Sequence, residues 1–387
     1  MRPPAVEQFG ALLLCSGLVC LPCGELNAVP PVISSLSLAG TSLRINITSE
    51  VGITNQIQTT PDLSSGSWSV VTNLMVGQAN YWFEDRAGTQ EPRFYRVLAL
   101  PVSNPTDAVP ANMALIPAGI FQMGDTFYEG ATYELPVHSV DVSAFYMDKF
   151  EVSKGLWDRV KTWSAGQGYL FDNEGSGKAT NHPVQTINWY DMVKWCNARS
   201  QMEGRVPSYY TDAALTQVYK AGQAEPYVKW NAGYRLPTEA EWEKGARGGA
   251  SGHRFPWSDT DTITHSQANY FSDSSFSFDV SPTHGYNPAF VDGVMPYTSP
   301  VGSFAPNGYG LYDMAGNVWE WCWDRAGNYP STLVTDPRGA DTGSTRVGKG
   351  GNWNFYAEHC RAAYRYGNPP TDTASNTGLR CAMTAQR

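Results

Sequence analysis

Tyr234-Arg235-Leu236-Pro237-Thr238-Glu239-Ala240-Glu241-Trp242-Glu243-Lys244-Gly245-Ala246-Arg247-Gly248-Gly249 carries the signals of a short helix and of both its ends. Thr238 is placed to cap the helix, because its hydroxyl can accept an amide that the first turn leaves without a partner. Glu241, three residues on, can reach back to the Thr238 amide and close a capping box. Gly248 supplies the stop. Glu239, Glu241 and Glu243 fall in the first turns, where the positive end of the helix dipole accounts for them without any catalytic role. A second helix is expected from Asn188, with Asp191 as its first-turn acid. Trp189, Met192, Val193 and Cys196 would then share one face, and the helix would stop near Gly204.

Around these helices the chain reads as loop-rich. The 37 glycines, 26 prolines and 13 tryptophans among 387 residues imply many turns pinned by large aromatic side chains. With 42% hydrophobic and 16% charged residues the chain is globular, and its length calls for two folded units. The 36 acidic against 27 basic residues give a net charge of -9, with no Lys/Arg cluster that could follow a phosphate backbone. Nucleic acid is therefore not expected as a partner.

Arg2, the apolar run over residues 9–21 and the more polar Gly24-Glu25-Leu26-Asn27-Ala28 read as a signal peptide over residues 1–28, cut near Ala28. The run is short for a membrane span of about 20 residues, and no later segment reaches that length without charges. Cys15, Cys20 and Cys23 follow Leu14, Val19 and Pro22, not the small residue that a lipidated cysteine would favour. A secreted or periplasmic protein is expected. Removing Arg2, Glu7 and Glu25 leaves 26 basic against 34 acidic residues, so the mature net charge is -8. Three of the seven cysteines leave as well, and Cys196, Cys322, Cys360 and Cys381 allow three pairings in an oxidising compartment.

Residues 101–112 include Pro101-Val102-Ser103-Asn104-Pro105-Thr106-Asp107-Ala108-Val109-Pro110, a linker composition. Before it, residues 29–100 alternate apolar and polar positions in Ser42-Leu43-Arg44-Ile45-Asn46-Ile47, Trp68-Ser69-Val70-Val71 and Phe94-Tyr95-Arg96-Val97-Leu98. A small all-β antiparallel sandwich is expected there, and its spacing resembles fibronectin-type-III-like modules.

Generic catalytic signatures are missing. His138, His182, His253, His265, His284 and His359 show neither the i, i+4 pair of a zinc protease nor an iron-site cluster. Glu174-Gly175-Ser176-Gly177-Lys178-Ala179-Thr180 imitates a phosphate loop but lacks its upstream glycine and the hydroxyl after lysine. No Gly-x-Ser-x-Gly elbow occurs.

Four ordered motifs carry a family resemblance. Met113-Ala114-Leu115-Ile116-Pro117-Ala118-Gly119-Ile120-Phe121-Gln122-Met123-Gly124, the Tyr234 to Gly249 helix, and Asn307-Gly308-Tyr309-Gly310-Leu311-Tyr312-Asp313-Met314-Ala315-Gly316-Asn317-Val318-Trp319-Glu320-Trp321 are three. Gly350-Gly351-Asn352-Trp353 with Ala374-Ser375-Asn376-Thr377-Gly378-Leu379-Arg380-Cys381 completes the set. Residues 113–387 thus resemble the formylglycine-generating enzyme, or sulfatase-modifying factor, family. The resemblance implies an α+β, C-type-lectin-like domain with few helices and many ordered loops.

It also implies an activity, the oxidation of a sulfatase cysteine to formylglycine with oxygen and a copper(I) ion on two thiolates, soft ligands suited to that ion. In catalytic members the two cysteines lie two and seven residues after the tryptophan of a Gly-Gly-Ser-Trp motif. Here those positions are Phe355 and Cys360, and Asn352 stands for the serine. Cys360 is thus the one candidate catalytic residue and copper lacks a ligand, with His359 the nearest substitute. The resemblance further pairs Cys196 with Cys381, and leaves Cys322 and Cys360 as a second disulfide, a redox pair or two buried thiols. It assigns calcium to Asp313, Gly316, Val318 and Glu320, and a second calcium to Asn269, Tyr270, Asp292 and Val294, hard oxygen ligands in both cases. Trp319, Asn352, Trp353, Phe355, Arg365 and Asn376 match positions around a groove for an extended peptide or protein, a sulfatase among them, with core packing the favoured alternative for Trp319 and Trp353. The alternative is a non-catalytic lectin-like module that binds a peptide, protein or glycan through Asn352-Trp353-Asn354-Phe355-Tyr356-Ala357-Glu358-His359.

Overall fold

Alternating apolar residues make six antiparallel strands before the linker: β1 (Val32–Ala39), β2 (Ser42–Thr48), β3 (Thr54–Thr60), β4 (Ser69–Met75), β5 (Asn80–Asp85) and β6 (Phe94–Ala99). This computed structural model describes residues 31–39, 42–49, 54–62, 68–75, 80–85, 94–99, 110 and 112–385. The expected signal peptide and most of the expected linker lie outside the described residues. The chain divides into two units, Met1–Ala108 and Val109–Arg387. In the first, the strands form two three-stranded sheets of order β1-β2-β5 and β4-β3-β6. Ile45, Ile47 and Ile57 are buried at the centre of one cluster to which both sheets contribute, joined by Leu43, Val71, Phe83, Tyr95 and Val97. The three strand segments expected from sequence fall in β2, β4 and β6.

The second unit begins with β7 (Met113–Ile116), β8 (Gly119–Met123), β9 (His138–Val142) and β10 (Phe145–Asp148). Then come α1 (Lys154–Ser164), α2 (Trp189–Met202), β11 (Tyr209–Tyr210), β12 (Tyr227–Val228) and α3 (Glu239–Ala246). β13 (Phe271–Ser272), β14 (Gly285–Tyr286), β15 (Trp319–Arg325), β16 (Val334–Thr335), β17 (Arg346–Lys349), β18 (Tyr366–Asn368), β19 (Thr377–Gly378) and β20 (Ala382–Thr384) follow. The larger sheets run β18-β17-β15-β19, β20-β10-β7 and β16-β9-β8. β15 pairs with β19, and β16 with β9, in parallel, so segments distant in sequence close the sheets. Among the described residues no helix is long and apolar enough to cross a membrane.

Helix α3 starts as its sequence dictates, with the Thr238 hydroxyl accepting from the Glu241 amide and Glu241 accepting from the Thr238 amide. Helix α2 starts on Asn188, which accepts from the Asp191 amide. The sequence gives α2 one apolar face, whereas every residue from Asp191 to Ser200 is buried. Its polar residues meet polar partners inside: Lys194 pairs with Asp172 and Asp191, and Arg199 forks onto Asp148 at 2.6 and 3.0 Å. Helix α1, which the sequence reading did not pick out, starts on Ser153.

The acids of α3 also exceed the dipole account. Glu239 pairs with Arg365, Glu241 with Arg235, and Glu243 with both Arg247 and Lys349, all in the interior. Beside them Trp242 packs into the main core with Ala246, Leu311, Met314, Cys322 and Val347. Arg380, fully buried, forks onto Glu320 of β15 at 2.6 and 2.7 Å and donates to the carbonyls of Asp148, Lys149 and Tyr312.

Burial alone would raise the Glu243 carboxyl, but Lys349 and Arg247 outweigh it and hold the pKa at about 2. A depressed carboxyl stabilises the fold fully above its unfolded value near 4.5, and that contribution is lost as pH falls toward 2. Glu243→Gln is therefore expected to cost about 3–5 kcal/mol at pH 7, because it leaves two buried cations short of their anion. Denaturant melts at stepped pH should find the deficit shrinking between about pH 4.5 and pH 2.

Candidate functional site

After β17 the chain turns through Gly350 and Gly351, both at positive φ. At Gly351 a Cβ would stand 2.9 Å from the Cys360 sulfur and 3.0 Å from the His359 backbone, so only glycine lets the turn close over Cys360. Buried Asn352 accepts from the Asn354 amide through its side chain at 2.9 Å, and Asn354 in turn accepts from the Asn376 side chain at 2.9 Å. The Trp319 amide donates to the Asn376 carbonyl at 2.8 Å. The turn, the start of β15 and the approach to β19 thus meet in one place.

An aromatic basin forms there. Trp319 stacks on Tyr366 at 5.5 Å and contacts Phe355, His359 and Tyr364 at 6.1, 6.1 and 5.7 Å between ring centres. His359 fills the middle, 4.9 Å from Phe355 and 4.6 Å from Tyr364. Burial holds the His359 pKa down, at about 4, so the ring is neutral at pH 7. Tyr356 and Tyr366 reach the surface. Among the described residues two buried donors, Trp319 Nε1 and Asn352 Nδ2, have no acceptor. A group that can accept hydrogen bonds would satisfy them.

The other predicted groove residues are placed differently. Trp353 is buried against Tyr286 and Tyr297, with Nε1 donating to the Ser375 carbonyl. Arg365 is turned inward, paired with Glu239 at 2.6 Å, bonded to the carbonyls of Gly327 and Tyr133, and set over the Tyr329 ring. It is not free to meet a peptide, because burial requires its charge to be matched.

The sulfurs also fall apart by environment. Cys360 is fully buried among Phe255, Ala268, Tyr270 and Ala357, whereas Cys322 belongs to the Trp242 cluster. Burial pushes both thiols well above their ordinary value, with the Asp279 carboxylate adding to the effect at Cys360. Cys196 and Cys381 face one another as thiols, 3.7 Å apart. A copper(I) site needs two thiolates, and this loop offers one buried, protonated thiol, with Phe355 at the position of the second. The residues present do not fit that ion.

Calcium fares differently at its two expected places. Asp313 is buried, its Oδ2 accepts from the Gly302 amide, and its Oδ1 has no donor among the described residues. Burial raises its pKa to about 6, aided by the negative charge of Glu320 and opposed by the Gly302 amide and Arg380. Glu320, however, is engaged on both oxygens by Arg380 and on one by Trp242. A third buried acid, Glu151, interacts with Asp313 and Glu320 and is bonded to Asn317 and the Val318 amide. The sequence held no sign of it, since it precedes α1 without a motif. Three buried carboxylates thus interact around one guanidinium, and a hard cation there would offset their excess charge. Among the described residues no three His, Cys, Asp or Glu side chains converge, so backbone carbonyls such as those of Gly316 and Val318 would have to complete the shell.

The second set does not fit. The Lys178 ammonium sits on Asp292 at 2.6 Å and on the Val294 carbonyl at 3.0 Å, already supplying the positive charge. Asn269 is bonded to Tyr297 and Asn317, and the Tyr270 hydroxyl to Asp279 and Ser281. The glycine-rich string around Lys178 therefore ends in a lysine tied to a neighbouring loop.

A few-helix α+β domain with long ordered loops is the class that the fold defines. Residues 99–385 match the sequence pattern of the family described as sulfatase-modifying factor enzyme 1-like domain. The chain belongs to that family, the formylglycine-generating enzymes and their relatives. It is 33% identical over 310 residues to the formylglycine-generating enzyme of Thermomonospora curvata, covering 73% of this chain and 96% of that one. It is 32% identical over 295 residues to the inactive C-alpha-formylglycine-generating enzyme 2 of Bos taurus, covering 71% and 89%. The structure of Treponema denticola variable protein 1 superposes with a TM-score of 0.55 at 28% identity, over 70% of this chain and 94% of that one.

Buried neutral thiols react slowly. Alkylation of the native protein at pH 8 should leave Cys322 and Cys360 unmodified for hours, about a thousandfold slower than an exposed cysteine, and both should label on unfolding. Mass spectrometry of tryptic peptides reads the outcome.

Proposed function

We propose that this chain is a non-oxidising member of its family, whose basin at Trp319, Asn352, Phe355 and Asn376 binds an extended peptide of a partner protein. The observation that carries this reading is Cys360, a single fully buried thiol whose expected companion is Phe355. Without a second thiolate the oxidation of a sulfatase cysteine has no copper ligand pair. What the basin keeps is binding chemistry. Half-buried Asn354 and Asn376 can bond a peptide backbone, and the rings of Phe355, Tyr356 and Tyr366 give sequence-tolerant apolar contact. The 32% identity to a relative named as inactive is in keeping with this.

Calcium belongs to the same reading as a structural ion near Asp313 and Glu151, where it would neutralise buried carboxylates and hold the Asp313 to Glu320 loop under the basin. The six-strand N-terminal unit is read as a fibronectin-type-III-like module, since strands 1, 2 and 5 in one sheet and 3 and 6 in the other follow sandwich connectivity. Export through residues 1–28 would place the protein where Cys196 and Cys381 can oxidise to a disulfide.

The test is selection of linear peptides from a displayed library on the purified full chain, alongside a glycan array and a copper(I) titration. Selected peptides should bind wild type, and Phe355→Ala and Asn376→Ala should each weaken them about tenfold with the melting temperature kept within a few degrees. Stoichiometric copper(I) binding with oxidation of a cysteine peptide would overturn the reading, and glycan binding alone would replace its ligand. Separately, calorimetry should find one calcium ion per chain, abolished in Asp313→Asn and retained in Asp292→Asn.

A further inference from the structure

A cavity of about 500 Å³ lies between the start of α1 and the end of α2 and shares no residue with the basin. Its wall carries three acids, Asp148, Glu151 and Glu203, and three arginines, Arg159, Arg199 and Arg205. Every acid is already engaged. Asp148 accepts both arms of Arg199 and the Cys381 amide. Glu203 accepts from the Tyr234 hydroxyl at 2.5 Å and from Arg199 at 3.4 Å. Glu151 is bonded to Asn317 and Val318.

Two arginines remain. Among the described residues Arg159 makes no ion pair or hydrogen bond, and it is exposed on the α1 face that brings Gly155 and Leu156 to the same wall. Arg205 has a buried Nε with no hydrogen-bond acceptor among the described residues, held only by a long ion pair to Glu203 at 3.9 Å. Its guanidinium lies 5.6 Å from the Tyr234 ring, which also carries Arg199 at 3.8 Å. Arg159 and the weakly held Arg205 are the groups on this wall that an anion would engage, and Phe150, Val152 and Leu156 offer an apolar side for a short carbon chain.

We propose that this cavity binds a small oxyanion, a carboxylate or phosphate group, between Arg159 and Arg205. Guanidinium forks match both groups in geometry, and charge-assisted bonds of this kind are among the stronger polar contacts. The net charge of -9 repels anions from the surface at large, so binding here would be local to these two residues.

The experiment is calorimetric titration of the full chain with succinate and, separately, inorganic phosphate at constant ionic strength, repeated on Arg159→Ala and Arg205→Lys. Wild type should bind at least one probe saturably, and each variant should bind it about tenfold more weakly. Arg159→Ala should melt at the wild-type temperature without ligand, since Arg159 holds nothing in the fold. Succinate alone would identify a carboxylate site, and phosphate alone a phosphate site. Absence of saturable binding by either probe, or variants that bind like wild type, would overturn the proposal.

Discussion

The fork between Arg380 and Glu320 is the contact on which the second unit turns. Arg380 follows β19 near the end of the chain, and Glu320 lies in β15 sixty residues earlier. Through the same guanidinium the end of β10 and the Tyr312 loop are tied down by their carbonyls. With no exposure at Arg380, all five N–H groups must find acceptors inside, and that requirement fixes where four separate segments can lie. The parallel pairing of β15 with β19, which sets Trp319 beside Asn376, depends on this arrangement.

Around the fork the interior is unusually ionic for a domain with so many aromatic residues. The three glutamates of α3 each hold a cation, and Arg346 is sandwiched at 3.9 Å from Trp189 and 5.0 Å from Trp323 while donating to the Trp323 carbonyl. Such networks contribute less to net stability than to uniqueness, because a charge left unpaired in the interior is costly in every alternative packing. Long loops can then be ordered without much regular structure. The basin inherits that order: its rings stand on β15, β18 and the segment between Gly351 and Tyr366, beside Asn317, Glu151 and the Asn352–Asn354–Asn376 chain of hydrogen bonds.

The non-oxidising reading rests on what surrounds Cys360. Phe355 and the neutral His359 pack edge to face where soft ligands would be needed, and Cys360 is sealed beneath Gly351. At Asp292, where the resemblance implies a calcium ion, the Lys178 ammonium brings its charge on a covalent tether. A tethered ammonium needs no supply of ion and has a fixed stoichiometry, but it offers fewer contacts than a hydrated calcium shell.

Local signals were legible from the amino-acid sequence. The Thr238 and Asn188 caps, the period-2 strands of the first unit and the motifs that define the family depend on neighbours a few residues apart, so they can be read in order along the chain. The missing second thiol was legible too, since it is a matter of residue identity. Only the tertiary structure decided that α2 is buried on all sides, that Arg365 turns inward to Glu239, that Glu151 joins Asp313 and that Lys178 meets Asp292. Each of these joins residues far apart in sequence through burial and charge pairing, and no local spacing encodes which of many acids a given cation will meet once the chain has closed.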